Sequence, residues 1–264
     1  MKNIHDYKTW KREGRKIVML TCYDAITARI VNQSDVDMIL VGDSVAMVLH
    51  GFDSTIHATL EMMELHVAAV ARGAPTKLIV ADLPFLSFRK GSREALEASA
   101  RLLRAGAHAV KLEGLSGHED TVKSLVESGI PVMGHLGLTP QSALQLGGHK
   151  VQGRLSQEAL KIEEDAKALE ELGCFALVLE CVPSELGTRV TRSLSIPTIG
   201  IGAGAGVDGQ VLVMHDMLGL QSAFKPKFLR RYGNGEKSLL EAFNTFASDV
   251  KAVRFPNAEE SYGS

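Results

Sequence analysis

The sequence predicts an α/β fold, a (β/α)8 TIM barrel, on three observations. Short apolar runs rich in β-branched residues recur about eight times along the chain, the number a barrel needs. Amphipathic stretches with apolar residues three and four apart lie between them. Several of these stretches end in a small-residue turn that feeds straight into the next run. Runs that are apolar at successive positions suit strands buried on both faces, and strand–helix alternation gives parallel strands. An open doubly wound sheet is the alternative. It carries a glycine fingerprint after its first strand, and Thr21-Cys22-Tyr23-Asp24-Ala25 is not one.

In chain order the predicted strands are Lys16–Tyr23, Met38–Val41, Leu78–Ala81, Ala109–Leu112, Pro131–Leu136, Ala176–Leu179, Pro197–Ile201 and, less clearly, Gln210–Met214. The predicted helices include Ala25–Val31, Leu60–Arg72, Ser92–Ala105, Glu119–Ser128 and Ser156–Leu172. Ser92 and Ser156 read as N-caps, because a hydroxyl there can accept an orphan backbone N–H. Gly106, Gly129 and Gly173 stand where a helix ends and a left-handed residue is wanted.

Composition narrows the function. The chain has 264 residues, 45% of them hydrophobic and only 5% aromatic, so Val, Ile, Leu and Ala must build the core. The 29 basic and 31 acidic residues leave a net charge of −2, with no electrostatic footprint for nucleic acid or an anionic membrane. No apolar run approaches the roughly 18 residues of a membrane helix, and the polar segment Met1–Gly14 lacks a signal-peptide core. Cys22, Cys174 and Cys181 are odd in number and widely spaced, which argues for a reducing compartment. With no linker or repeat, residues 1–264 read as a single barrel domain with a C-terminal helical extension.

Barrel chemistry sits at the carboxyl ends of the strands. Asp24, Asp43-Ser44 and Asp82 follow the first three runs; Lys111 and Glu113 end the fourth, His135 the fifth and Glu180 the sixth. Crowded carboxylates repel and are costly to desolvate unless something neutralises them, and a divalent cation does so simply. All-oxygen ligands favour Mg²⁺, Mn²⁺ or Ca²⁺ over zinc. Each residue also has a plainer reading. Asp24, ahead of an amphipathic stretch, reads as a helix cap; Asp43 and Asp82 can be caps or site residues; Glu113 can be a loop charge; Lys111 can serve an ion pair; His135 can be a core histidine bonded to backbone. Glu180 ends a strongly apolar strand, where burial would raise its pKa as a proton-transfer group requires. The glycine-rich Gly200–Gly204 can be a phosphate cradle or a site of tight packing. The long Gly134–Gly153 segment, with no helical pattern, is a candidate lid or oligomer contact.

Six segments together resemble a known family. They are Leu40-Val41-Gly42-Asp43-Ser44, Ala81-Asp82-Leu83-Pro84-Phe85, Val110-Lys111-Leu112-Glu113-Gly114, Gly134-His135-Leu136-Gly137-Leu138-Thr139-Pro140-Gln141, Leu179-Glu180-Cys181-Val182-Pro183 and Gly200-Ile201-Gly202-Ala203-Gly204. In that order, from about Thr21 to His215, they resemble ketopantoate hydroxymethyltransferases; the tail past about Gln221 matches less distinctly. The resemblance implies a barrel of the phosphoenolpyruvate/pyruvate-binding type, one Mg²⁺ per subunit, 5,10-methylenetetrahydrofolate as co-substrate and a cytoplasmic homodecamer. Carried over, Asp43 and Asp82 would bind the metal directly and Glu113 through water. Asp43, Ser44, Asp82 and Lys111 would contact the 2-oxo acid, Glu180 would be the base, and His135 is a possible substrate contact.

The implied reaction adds a hydroxymethyl group to C3 of 3-methyl-2-oxobutanoate. That C–H is a poor acid beside a single ketone, so the charge formed on deprotonation needs electrostatic stabilisation. Two rivals share the barrel: a lyase or mutase acting on a 2-oxo acid, and a protein that only binds one. The Lys-Lys-Cys-Gly-type lid common among the former does not occur here.

Overall fold

The computed structural model describes residues 3–263, beginning with α1 (Ile4–Arg12), β1 (Ile17–Thr21), α2 (Ala25–Gln33) and β2 (Met38–Val41). The short α3 (Val45–Val48) and α4 (Leu60–Gly73) precede β3 (Leu78–Asp82), and α5 (Ser92–Ala105) precedes β4 (Ala109–Glu113). Then come α6 (Glu119–Glu127), β5 (Val132–Gly137), α7 (Ser156–Glu171), β6 (Ala176–Glu180), α8 (Ser184–Ser193), β7 (Thr198–Ile201) and β8 (Gly209–Leu212). The described chain ends with α9 (Met214–Met217) and α10 (Gly235–Lys251).

All neighbouring strands are parallel, and β1 bonds to both β2 and β8, so the sheet closes on itself. Closure removes the edges that an open doubly wound sheet would keep, and the barrel is the correct reading. Alternate residues of the strands point inward. Met38 and Leu40, Leu78 and Val80, Ala176 and Val178 join Met19, Ala109, Met133, Ile199 and Val211 in one buried cluster. The intervening residues, such as Ile39, Ile79 and Leu177, are buried on the outer face of the barrel.

The opening segment is more than a polar start. Asn3 and Asp6 form a capping box for α1, whose Tyr7 and Trp10 enter the same interior cluster. Lys11 Nζ donates to Thr191 O at 2.7 Å, Ile196 O at 3.0 Å and Asp208 Oδ2 at 2.9 Å. Those carbonyls lie on α8 and just ahead of β7, and Asp208 just ahead of β8, so this face is sealed by packing and an ion pair. It is the end opposite the strands' carboxyl termini.

Asp24 is the N-cap of α2 and accepts from the backbone N–H of Ile26 and Thr27. Ser92 and Ser156, by contrast, are the first residues of their helices, and neither helix has a side-chain cap bond. Gly91, at φ 117°, takes the N-cap position ahead of Ser92, so the serine falls inside the helix rather than capping it. Gly106 closes α5 with φ 114°, as expected of a helix stop. Part of the predicted Gly134–Gly153 loop is strand, because β5 continues to Gly137, and Pro140–Ser142 forms a 3-10 turn.

The chain divides into two compact units at Val213. The first carries the barrel. In the second, Arg231 Nη2 gathers the carbonyls of Gln221, Ser222 and Phe224 at 2.9–3.0 Å, and α10 has no buried residue. Among the described residues no helix is long and apolar enough to cross a membrane.

Candidate active site

Strand parity assembles the site. Asp82 shares the inward face of β3 with Leu78 and Val80, and Lys111 and Glu113 share that of β4 with Ala109. His135 follows Met133 on β5, and Glu180 follows Ala176 and Val178 on β6. Each is the last or nearly the last inward position of its strand, so four strands deliver polar side chains to one mouth. Register pairs them: Asp82 lies beside Lys111, and Glu113 beside His135.

The contacts are direct. Lys111 Nζ lies 3.0 Å from Asp82 Oδ1 and 3.3 Å from His135 Nδ1. His135 bridges two carboxylates, with Nδ1 3.5 Å from Glu113 Oε1 and Nε2 3.3 Å from Glu180 Oε2. Asp43 lies beyond the end of β2, and its backbone N–H donates to Asp82 Oδ2 at 3.0 Å. Ser44 Oγ and Tyr23 Oη share a hydrogen bond of 2.8 Å. A Cβ on Gly42 would sit 2.8 Å from Ser44 Oγ, so a larger residue there would displace the hydroxyl that bonds Tyr23.

Burial makes these charges expensive and shifts their titration. Asp43, Asp82, Lys111, Glu113 and His135 are all buried. Burial, together with the like charges of Asp82 and Glu113, raises the Asp43 carboxyl well above its ordinary value. Burial would also raise Glu113, but His135, Lys111 and the Gln141 N–H overcome it and hold the group low. Lys111 is raised because Asp82, Glu113 and Asp43 outweigh its desolvation, so it stays an ammonium. Burial and Lys111 work against charge on His135, yet Glu113 and Glu180 prevail and raise it.

Three expectations therefore change. Asp43 and Asp82 do not cap helices, since α3 has no side-chain cap bond and Asp82 instead accepts a backbone N–H from another element. His135 lies within ion-pair distance of two carboxylates, and its ring does not bond to backbone among the described residues. Glu180 is less enclosed than its apolar strand suggests, with 18% of its side chain exposed, because its position lies at the open mouth.

Two residues of the site escaped the sequence reading. Gln141 Nε2 donates to Asp43 Oδ2 at 2.9 Å and to Leu83 O at 3.0 Å, while its backbone N–H donates to Glu113 Oε2 at 3.0 Å. Its only signal was its place at the end of the Gly134–Gln141 segment. Tyr23, fully buried at the end of the first apolar run, looked like core.

The Gly200–Gly204 turn is a packing site. A Cβ on Gly204 would meet Ser184 Cβ at 2.5 Å, and one on Gly187 would meet Ala203 O at the same distance. Here α8 presses directly on the turn, which explains the run of small residues.

The donor set fits a hard divalent cation. Three buried carboxylates face one ammonium and one imidazole, which leaves Asp43 poorly compensated. Among the described residues no three Asp, Glu, His or Cys side chains are gathered tightly enough to hold a metal alone. Mg²⁺ typically takes only one or two carboxylates and fills its octahedron with water and substrate, so a pair such as Asp43 and Asp82 would offer enough protein donors.

The sequence profile described as ketopantoate hydroxymethyltransferase matches residues 1–258. A 3-methyl-2-oxobutanoate hydroxymethyltransferase of Legionella pneumophila (strain Paris) is 54% identical over 260 residues, covering 98% of this chain and 99% of the relative. One from Coxiella burnetii is 52% identical, covering 97% of each. Among solved structures, a phosphoenolpyruvate phosphomutase of Streptomyces platensis subsp. rosaceus superposes with a TM-score of 0.66 at 13% identity, covering 97% of this chain and 92% of that one. A 2,3-dimethylmalate lyase of the PEP mutase/isocitrate lyase superfamily gives 0.60 at 16% identity, covering 93% and 88%. At such identities the superpositions speak for the shared barrel alone, whereas the profile and the close relatives speak for the family. The chain belongs to the ketopantoate hydroxymethyltransferase family of transferases.

Proposed function

We propose that this enzyme transfers a hydroxymethyl group from 5,10-methylenetetrahydrofolate to C3 of 3-methyl-2-oxobutanoate, giving 2-dehydropantoate, the first committed step of pantothenate biosynthesis. The observation that carries the proposal is Glu180, held 3.3 Å from the buried His135 at a mouth that also presents Lys111 and two aspartates. The names of the close relatives support the same substrate. Asp43 and Asp82 would hold Mg²⁺ directly and Glu113 through water. When bound, the ion supplies electrostatic stabilisation to the charge developing on the 2-oxo oxygen.

The protein's own residues do the rest. Glu180 takes the C3 proton, and its partial exposure lets that proton pass to solvent afterwards. His135, lying between Glu113 and Glu180, keeps the Glu180 carboxylate aimed into the barrel mouth. Lys111 sets a fixed positive charge against the anion that remains when the proton leaves. Ser44, anchored by Tyr23, and Asp82 position the 2-oxo acid. One methylene–nitrogen bond of the folate opens as C3 bonds to the methylene carbon, and the second breaks as that carbon takes hydroxyl from water. The two freed nitrogens take up protons equivalent to the one lost from C3 and the one left by water, and tetrahydrofolate departs. The enzyme works as a cytoplasmic homo-oligomer, a homodecamer by family resemblance. Its three free cysteines and the apolar face of α10 support that setting.

Purified protein given Mg²⁺, 3-methyl-2-oxobutanoate and methylenetetrahydrofolate should form 2-dehydropantoate. Glu180→Gln should still bind the 2-oxo acid, while exchange of its C3 proton with deuterated solvent slows by about 10²–10⁴-fold. Unimpaired exchange would assign the base elsewhere, and folate-independent C–C or P–C cleavage would favour a lyase or mutase.

A further inference from the structure

Leu138 to Gln141 lie across the barrel mouth and touch the ends of four strands. Leu138 N–H donates to Glu180 O at 2.8 Å, at the end of β6. Gln141 N–H donates to Glu113 Oε2 at the end of β4. The Gln141 side chain reaches Asp43 beyond β2 and the Leu83 carbonyl just past β3. The segment leaves β5 through Gly137 and is shaped by the Pro140–Ser142 turn.

The chemistry of the Gln141 amide is unambiguous. Both partners of Nε2, a carboxylate and a backbone carbonyl, are acceptors only, so the two amide hydrogens must point at them. Gln141 is itself buried, and these bonds form away from competing water. A neutral donor steadies one oxygen of Asp43 without cancelling its charge. A lysine or arginine here would neutralise the carboxylate and compete with a cation; a glutamate would repel it.

We propose that Gln141 is a positioning residue for the metal-binding carboxylates, fixing Asp43 through its side chain and Glu113 through its backbone N–H while leaving both charges available. The inference rests on the metal reading above and extends it to a residue one shell out. Groups that orient metal ligands in this way are typically worth about 10–100-fold in metal affinity.

Gln141→Met keeps the volume and the backbone N–H but deletes both side-chain donors, and Gln141→Lys sets an ammonium against Asp43. Titration of the metal-free proteins with Mn²⁺, followed by electron paramagnetic resonance, should show affinity weakened about 10–100-fold in the methionine variant. In the lysine variant binding should be lost. Circular dichroism should show the fold retained. Hydrogen exchange adds an arm that needs no metal: peptides spanning Gly42–Ser44 should exchange faster in metal-free Gln141→Met than in the parent. Unchanged exchange overturns the positioning role, and parental Mn²⁺ affinity in the methionine variant overturns its effect on the metal. Parental affinity in the lysine variant overturns the charge argument. A parent protein that binds no Mn²⁺ overturns the metal reading itself, while the exchange arm still decides whether Gln141 holds Asp43.

Discussion

Cys181 follows Glu180 directly and has φ 47°, a left-handed conformation that a side chain makes costly. It is pinned on both sides: its N–H donates to Ile201 O and its carbonyl accepts from Gln152 N–H, each at 2.8 Å. The strain is therefore held by bonds to β7 and to the loop after β5, and it sets the direction in which the chain leaves Glu180. Burial pushes the Cys181 thiol up to about 11 and Cys174 up to about 12. In the folded protein these thiols keep their protons where an unfolded cysteine, at 9.0, loses its own. Between roughly pH 9 and 11 the native state thus binds more protons than the unfolded state, and stability falls as pH rises. Denaturant midpoints measured across that window should decline, and Cys181→Ser should flatten the decline. A midpoint independent of pH would contradict the assignment. Cys174 should resist iodoacetamide at pH 8 in native protein, because both its burial and its missing thiolate oppose attack.

Elements place the side chains, and they do so through parity and close approach. β5 ends at Gly137, which has φ 92° and whose Cβ would lie 2.2 Å from Glu180 O and 2.8 Å from Val182. No rotamer relieves a clash with a backbone carbonyl. Gly137→Ala should cost about 1–3 kcal/mol by the strain and overpacking it introduces. Because β5 and β6 must part at Glu180, 2-oxo acid binding should suffer beyond the loss of stability. Chemical denaturation and substrate titration check the two effects separately. The strands were legible because a strand buried on both faces must be apolar at nearly every position, as Met38–Val41 and Ala176–Leu179 are. α1 was not, because its solvent face carries most of its residues and only Tyr7 and Trp10 are buried.

At the scale of the molecule, the barrel buries its apolar surface well, whereas α10 does not. Leu239, Leu240, Phe243, Phe246 and Val250 are 46–64% exposed along that one helix. A contiguous apolar helix face of this kind is costly in water and is ordinarily covered by another surface. A homo-oligomer such as the one proposed above would cover it with a second copy of the chain. Light scattering should report a mass several times that of one chain, and Phe243→Asp should lower it. A monomeric parent protein would remove the oligomer from the proposal.

Local patterning alone determined the alternation of strands and helices, the carboxylates at strand ends and the Asp24 cap. Each depends on residues a few positions apart, whose periodicity or capping chemistry is visible along the chain. Family resemblance in six ordered segments carried the site residues further than spacing could. Tertiary structure alone decided the closure of β1 on β8, the bridging of Glu113 and Glu180 by His135, and the hold of Gln141 on Asp43. Those contacts join residues distant in the chain, 98 positions in the case of Gln141 and Asp43, and their energy comes from shared burial rather than from local propensity. It also decided that Asp43 rather than Glu180 bears the heavier cost of burial. Depth in a barrel depends on how far past its strand a residue stands, and that distance exists only once the strands have closed.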